Sequence, residues 1–168
     1  MWQTVLSTIG EEFSDLADPE QITRVALRLV VAVALGAVVG YERERSGKTA
    51  GLRTHMLVAL GVALIIVSAQ QSGVEAADMT RVLQGVFAGI GFLGAGAILK
   101  LDDEHRVAGL TTAASIWATA AIAAAAGLGR EGTAVLATLL AYVVLSVLLR
   151  AEKHLEKTRH DADERTVD

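Results

Sequence analysis

The chain of 168 residues contains no cysteine, a single proline and only 4% aromatic residues. Without cysteine it has no disulfide, no thiolate zinc site and no cysteine nucleophile. A net charge of -4 argues against a nucleic-acid partner, and a hydrophobic fraction of 52% excludes a disordered chain. The mean hydropathy of +0.46 is high for a soluble domain, so the composition favours a membrane protein.

Asp, Glu, Lys and Arg are missing from four long stretches, and a fifth is interrupted only by Arg28. A helix rises about 1.5 Å per residue, so about 18 residues cross, or nearly cross, a hydrocarbon core of about 30 Å. Helices of a soluble bundle would each show a polar stripe, and these stretches have none. The sequence predicts an all-α integral membrane protein with five transmembrane helices, at 25–41, 54–74, 82–99, 107–129 and 132–149.

Lys and Arg are unequally divided between the two ends of the predicted helices. One end carries Arg43, Arg45, Lys48, Arg53, Lys100, Arg106, Arg150, Lys153, Lys157, Arg159 and Arg165. The other end carries only Arg24, Arg28, Arg81 and Arg130. Because basic residues concentrate on the cytoplasmic side, we expect the N-terminus outside and the C-terminus in the cytoplasm.

The segments that flank the predicted helices are of two kinds. In residues 1–18, Trp2, Val5, Ile9, Phe13 and Leu16 recur at helical spacing, which predicts an amphipathic helix on the outer surface, with a mobile terminus as the alternative. Residues 19–150 form the predicted five-helix domain. Residues 151–168 mix charges of both signs and are expected to form a charged cytoplasmic tail that continues the last helix briefly.

Arg28 is the one charge inside a predicted span. Its guanidinium either snorkels to the outer headgroups or faces the bundle or a polar pathway. An unpaired charge at mid-membrane would cost on the order of 3 kcal/mol or more, so the second alternative requires a partner.

Glycines are concentrated in the third predicted span, from Gly85 to Gly96, and a GxxxG occurs both at Gly85 and Gly89 and at Gly36 and Gly40. Such glycines let helix backbones approach closely. The alternative for the third span is a discontinuous helix that lines a binding site.

Hydroxyl groups follow a helical spacing in the last two spans, at Thr111, Ser115 and Thr119 and at Thr138, Tyr142 and Ser146. Such stripes usually bond their own backbone or a neighbouring helix, and lining of a solute path is the alternative.

An internal similarity at an offset of 58 residues matches Leu35-Gly36-Ala37 with Leu93-Gly94-Ala95, and Ala50-Gly51-Leu52 with Ala108-Gly109-Leu110. It predicts a parallel repeat of two-helix units. The repeat places two Gly-Leu-x-Thr helix starts on the cytoplasmic face. These starts either hold an anion with the help of Arg53 or simply terminate loops.

Several motifs, in this order, resemble the MgtC/SapB family over roughly residues 25–150. They are Gly40-Tyr41-Glu42-Arg43-Glu44-Arg45, Gly51-Leu52-Arg53-Thr54-His55, Gly89-Ile90-Gly91-Phe92-Leu93-Gly94-Ala95-Gly96, and Gly109-Leu110-Thr111-Thr112-Ala113-Ala114 with Trp117. The resemblance implies a hydrophobic inner-membrane domain linked to magnesium limitation, whose best-known members regulate other membrane machinery. Many members carry a further ACT-like domain, which we do not expect in the 18 residues after Arg150.

The functional positions that the resemblance implies are Glu42, Arg43, Glu44, Arg53, Thr54, His55, Gly89, Gly91, Gly94, Gly96, Thr111 and Thr112. The Glu-Arg-Glu-Arg run either pairs internally and holds a loop or forms a docking surface. A magnesium site at Glu42, Glu44 and His55 has little support, because Mg²⁺ favours octahedral oxygen ligands, so no metal and no cofactor is predicted.

Two functions fit this pattern: a non-enzymatic regulator that self-associates and binds a membrane-protein partner, or a small transporter or channel for magnesium or another ion. The predicted spans contain no carboxylate, which favours the regulator. We expect no enzyme, because His55 and His105 lie at the predicted membrane edges, away from the hydroxyl groups within the spans.

Overall fold

The structure is a computed structural model that describes the backbone of residues 1–12, 14, 18–101 and 106–164, and the side chains of these residues except 99–107 and 148–164. The described part is helical apart from one short hairpin. In chain order the elements are α1 Trp2–Glu12, α2 Pro19–Arg45, α3 Leu52–Gln71, α4 Ala76–Gly96, β1 Leu99–Leu101, β2 Arg106–Ala108, α5 Leu110–Gly127 and α6 Glu131–Glu164.

Three of these helices, α2, α3 and α5, are long and apolar enough to cross a membrane. The predicted helical class and the membrane character of the chain are confirmed at this level. Helix α4 carries Asp78 and Arg81 in its first turns, and the apolar part of α6 that the structure describes covers Glu131–Val147. Five spans and the orientation of the termini therefore stay predictions.

Helix α5 is the centre of the bundle, since it contacts α2, α3, α4 and α6. Its alanine-rich sequence explains this position, because small side chains let neighbouring helices approach closely from several sides. Ala120, Ala123 and Ala126 are fully buried, as are Ala59 and Ala63 on α3. The core is thus built mainly from close backbone approach rather than from large side chains.

The ends of two predicted spans are wrong, because residues 99 and 107 lie in strands rather than in helices. The two strands pair antiparallel, with Leu99 opposite Ala108 and Leu101 opposite Arg106. Helix α5 begins only at Leu110, after Gly109 with φ +92°. An added Cβ at Gly109 would collide with the carbonyl of Ala97, so both the left-handed backbone and the contact require glycine.

The two ends of the chain extend the helical pattern. Asp18 caps α2 by accepting a hydrogen bond from the Glu20 amide at 3.2 Å, with Pro19 in the first turn. The side chains of α1, including Trp2 and Ile9, are exposed, while Phe13 and Leu16 of the predicted amphipathic face lie outside the described residues. The predicted brief continuation of the last helix is longer than expected, since α6 runs to Glu164.

The predicted repeat has a structural counterpart. Gly36 of α2 faces the His55 carbonyl of α3, where an added Cβ would lie at 2.8 Å. The residues 58 positions later repeat this contact: Gly94 of α4 faces the Ala113 carbonyl of α5, and a Cβ added at Gly94 would lie 3.9 Å from that oxygen. The two helix pairs therefore meet at equivalent glycines, and the first pair packs more tightly.

Candidate functional site

A cluster of polar side chains lies buried where α2 ends and where α3 and α5 begin. We call it the Arg43 cluster, and its members are Glu42, Arg43, His55, Thr112 and Ser115. Arg43 is 1% exposed, Glu42 6% and His55 0%. Polar groups buried to this extent are costly unless they are paired, so the contacts within the cluster determine what it can do.

Arg43 joins α2 to α5. Its Nη2 donates to Thr112 Oγ1 at 3.4 Å, and its Nη1 lies 3.7 Å from Glu42 Oε2. The other carboxylate oxygen of Glu42 accepts a hydrogen bond from Ser46 Oγ at 2.7 Å. The single buried acidic residue among the described side chains is thus engaged by a guanidinium and a hydroxyl.

His55 joins α3 to α5. Its Nδ1 lies 2.9 Å from the Gly51 carbonyl, and its Nε2 lies 3.2 Å from Ser115 Oγ. Because a carbonyl oxygen can only accept, Nδ1 carries a hydrogen in this arrangement. The expectation that His55 lies away from the hydroxyl groups of the spans is wrong, because its Nε2 reaches Ser115 of α5. Its place at a membrane edge stays a prediction.

The first amide of α3 is bonded to a carboxylate of the chain itself. Gly51 provides no side-chain cap, and Glu44 Oε2 accepts a hydrogen bond from the Leu52 amide at 2.9 Å instead. A carboxylate at a helix N-terminus is favourable for the same reasons that an anion would be. This contact favours the alternative in which the helix start simply terminates a loop, and the side chains of Arg53 and Thr54 beside it are exposed.

Glu42, Glu44 and His55 do not converge on a metal site. Glu44 turns outward to cap α3, while the two ring nitrogens of His55 are occupied by the Gly51 carbonyl and the Ser115 hydroxyl. The described residues contain no group of three or more His, Cys, Asp or Glu side chains that could hold a metal ion.

The predicted hydroxyl stripe of α5 differs from the observed one at its first residue. Thr111 is exposed, and Thr112, Ser115 and Thr119 form the buried row instead. Ser115 Oγ donates to the Thr112 carbonyl at 2.8 Å and Thr119 Oγ1 to the Ser115 carbonyl at 2.9 Å. The hydroxyls of Thr138 and Ser146 on α6 likewise donate to carbonyls of their own helix. This confirms the prediction that the stripes bond their own backbone or a neighbouring helix.

The glycines of α4 have a different environment from those of α2. The helix is unbroken, so the alternative of a discontinuous helix is wrong. A Cβ added at Gly89, Gly91 or Gly96 would meet nothing within 4 Å, whereas Gly94 faces Ala113. Gly85, Gly89 and Gly61 of α3 line an apolar groove of about 650 Å³ between α3 and α4.

Arg28 lies at the opposite end of the bundle from the Arg43 cluster and reaches across to two other helices. Its Nη1 donates to Gln70 Oε1 at 2.6 Å and to the Gly127 carbonyl at 3.3 Å. Gln70 and Gly127 are near the C-terminal ends of α3 and α5, where a cation is favourable. Of the two alternatives for Arg28, the structure therefore supports a charge that faces the bundle.

Replacing Arg28 with glutamine is expected to reduce the free energy of unfolding by about 1–2 kcal/mol, because hydrogen bonds from a charged donor to two helices are lost. The matched control is Arg24→Gln, one turn earlier, whose exposed pair with Glu20 is worth less than about 1 kcal/mol. Denaturant unfolding of both variants in the same detergent measures the difference. Equal effects at the two positions would contradict the role of Arg28.

Ser46 and Gln70 are site residues that the sequence analysis missed. Ser46 lies in the loop after the first predicted span and Gln70 in the last part of the second. Polar residues are ordinary at both places, and Gln70 is 42 residues from Arg28. The available signal was the spacing of Glu42 and Ser46, because residues four apart share a helix face. This spacing indicates a contact only if the helix continues past residue 41, and the structure shows that α2 runs to Arg45.

Comparison with known proteins gives matches that cover most of the chain. The MgtC family model matches residues 29–154. The chain is 40% identical to SrpB of Synechococcus elongatus over 140 residues, which cover 77% of each protein. It is 40% identical to MgtC of Salmonella typhimurium over 124 residues, and 34% identical to YhiD of Escherichia coli K12 over 146 residues.

The chain is shorter than some of these relatives. The matched region covers 74% of this chain but 52% of Salmonella MgtC, and 79% of this chain but 67% of YhiD. The chain thus spans about half the length of the Salmonella relative. No solved structure matches.

Proposed function

Because the chain belongs to the MgtC family, we propose that it is an inner-membrane protein of magnesium homeostasis that acts on other membrane machinery rather than carrying the ion itself. The relatives named MgtC, and YhiD, which is named as a candidate magnesium transporter, support the link to magnesium. The choice of a regulator over a transporter rests on the Arg43 cluster.

The observation that carries the proposal is the state of Glu42. A carboxylate that carries Mg²⁺ must offer its oxygens to a hydrated ion. Glu42 instead faces the Arg43 guanidinium at 3.7 Å and accepts from Ser46 at 2.7 Å. A neighbouring guanidinium also repels a divalent cation, so the cluster is suited to holding three helix ends together.

The interior of α3 gives a second argument against transport. Between His55 and Gln70, its buried positions are Ala59, Val62, Ala63, Ile66 and Val67. A polar cleft of about 480 Å³, lined by residues that include Arg28 and Gln70, lies at the other end of the bundle. Apolar side chains of α3 thus lie between this cleft and the Arg43 cluster, and they offer an ion no ligands.

The proposal includes five spans, with the Arg43 cluster at the cytoplasmic face. Lys and Arg near this end of the helices support the orientation. It also includes a homo-oligomer and a membrane-protein partner, since Gly85 and Gly89 of α4 remain open to another helix. No enzymatic step is part of this function.

The test combines ion flux with growth. The full chain is reconstituted in liposomes with reporters for magnesium, potassium and protons, and is expressed in a bacterium that lacks its own copy and grows at limiting magnesium. We expect a growth benefit without flux above that of empty liposomes. Magnesium flux that Arg28→Gln abolishes and Arg24→Gln retains, in folded protein, would contradict the regulator and establish transport.

A further inference from the structure

The polar cleft of about 480 Å³ at the end of the bundle opposite the Arg43 cluster has charges of both signs in its walls. The start of α2 contributes Asp18, Glu20, Arg24 and Arg28, and the end of α3 contributes Gln70 and Gln71. Lipid tails alone would leave these groups without polar partners, which is costly. The cleft is therefore suited to a polar or charged molecule.

Arg28 lies furthest along α2 among these charges, and among the described side chains it has no acidic partner. Its Nη1 donates to the Gln70 amide oxygen and to the Gly127 carbonyl. The backbone of Gly129 closes another side of the guanidinium, since a Cβ added there would lie 2.5 Å from Nη2. Neutral acceptors satisfy hydrogen bonds but do not cancel the charge, so the cleft beside Arg28 favours an anionic group.

The charges in the cleft change sign with depth along α2. Asp18 and Glu20 lie at the start of the helix, and Arg24 and Arg28 follow one and two turns after Glu20, at about 5.4 Å per turn. Glu20 and Arg24 pair with each other, but an exposed pair contributes little, so both side chains are available to a ligand. A complementary ligand carries its negative group deeper in the membrane than its positive group.

Phosphatidylethanolamine has this order of charges, because its phosphate is next to the glycerol and its ammonium extends further towards the water. We propose that the cleft binds the head group of phosphatidylethanolamine, with the phosphate at Arg28 and Arg24 and the ammonium at Asp18 and Glu20. Hydrogen bonds between charged groups of this kind are the strong ones. The inference goes beyond the proposed function and requires only that α2 enters the bilayer at its start.

Charge and hydrogen bonding distinguish this lipid from other occupants. Phosphatidylglycerol brings a negative charge alone, which Asp18 and Glu20 repel, and a metal ion is repelled by Arg24 and Arg28. Phosphatidylcholine has the same order of charges, but its quaternary ammonium has no N–H group, whereas a primary ammonium has three donors for the carboxylates. The cleft should therefore prefer phosphatidylethanolamine to both of these lipids.

The test is native mass spectrometry of the full chain in detergent, titrated with phosphatidylethanolamine, phosphatidylcholine or phosphatidylglycerol that carry identical acyl chains. We expect phosphatidylethanolamine to bind most tightly. Arg28→Gln should weaken its binding roughly tenfold or more, because charged hydrogen bonds to the phosphate are lost. The matched control is Arg130→Gln, which removes an exposed guanidinium at the same end of the bundle and should leave the binding unchanged.

A second variant tests the other end of the cleft. Glu20→Gln, at an exposed position, should reduce the advantage of phosphatidylethanolamine over phosphatidylcholine and strengthen the binding of phosphatidylglycerol, and it decides even if Arg28→Gln does not fold. Equal binding of the three lipids, tighter binding of phosphatidylglycerol, or a preference that survives both substitutions would overturn the proposal. Competition by soluble phosphoethanolamine at the same concentration as the lipid would assign the cleft to a soluble zwitterion and overturn it as well.

Discussion

Replacing Arg43 with methionine is expected to reduce the free energy of unfolding by about 3–5 kcal/mol, because it leaves the Glu42 carboxylate buried without its counter-charge. Glu42 is 6% exposed, so water cannot replace the guanidinium from the surface without opening the helix ends. The substitution also removes the donor to Thr112 and with it a tie between α2 and α5. Denaturant unfolding of the purified full chain measures the loss.

The chain offers a matched control two residues away. Arg45 is exposed at the end of the same helix, so Arg45→Met should change the unfolding free energy by less than about 0.5 kcal/mol. The double variant Glu42→Gln with Arg43→Met should recover part of the loss, because the remaining buried group is neutral. Similar small losses for Arg43→Met and Arg45→Met would show that the pair is not a structural lock.

The membrane character of the chain could be predicted because it depends on composition alone. Apolar runs long enough to cross a bilayer are visible in the sequence, and α2, α3 and α5 each overlap one of the predicted spans. The ends of helices were less predictable. The hairpin of β1 and β2 depends on pairing between the two strands and on the left-handed backbone of Gly109. Neither feature can be read from the hydropathy of residues 99–108, which was the basis for predicting the span ends.

The Arg43 cluster was only partly predictable, because its burial also depends on contacts between helices. Glu42, Arg43, His55 and Thr112 were singled out by the family resemblance, but the sequence places charged residues at span ends in the loops. The structure buries them because α2 continues to Arg45 and packs against α3 and α5. Burial of a polar residue leaves no periodic signal, so its partners emerge only from the tertiary contacts.

The packing of the two GxxxG motifs, at Gly36 and Gly40 and at Gly85 and Gly89, could not be predicted from the sequence either. Both have the sequence signature of close helix packing, and the sequence cannot distinguish them. In the structure, a Cβ added at Gly36 would lie 2.7 Å from Ala59 Cβ and 2.8 Å from the His55 carbonyl, while Gly85 meets nothing within 4 Å. One motif is used inside the chain, and the other remains open.

Valine at Gly36 is therefore expected to destabilise the protein by about 3 kcal/mol, the upper part of the range for overpacked cores. The added atoms meet backbone and a short side chain, which cannot move aside without separating α2 from α3. Valine at Gly85 should change stability by less than about 1 kcal/mol, because its side chain enters the open groove beside α3.

The comparison is direct, because the same substitution is made at the first glycine of the same motif in both helices. Unfolding in detergent at high dilution separates packing within the chain from association between copies, since only association depends on concentration. A larger loss at Gly85 than at Gly36 under these conditions would contradict the packing of α2 against α3. A loss at Gly85 that appears only at high protein concentration would instead support self-association through the open face of α4.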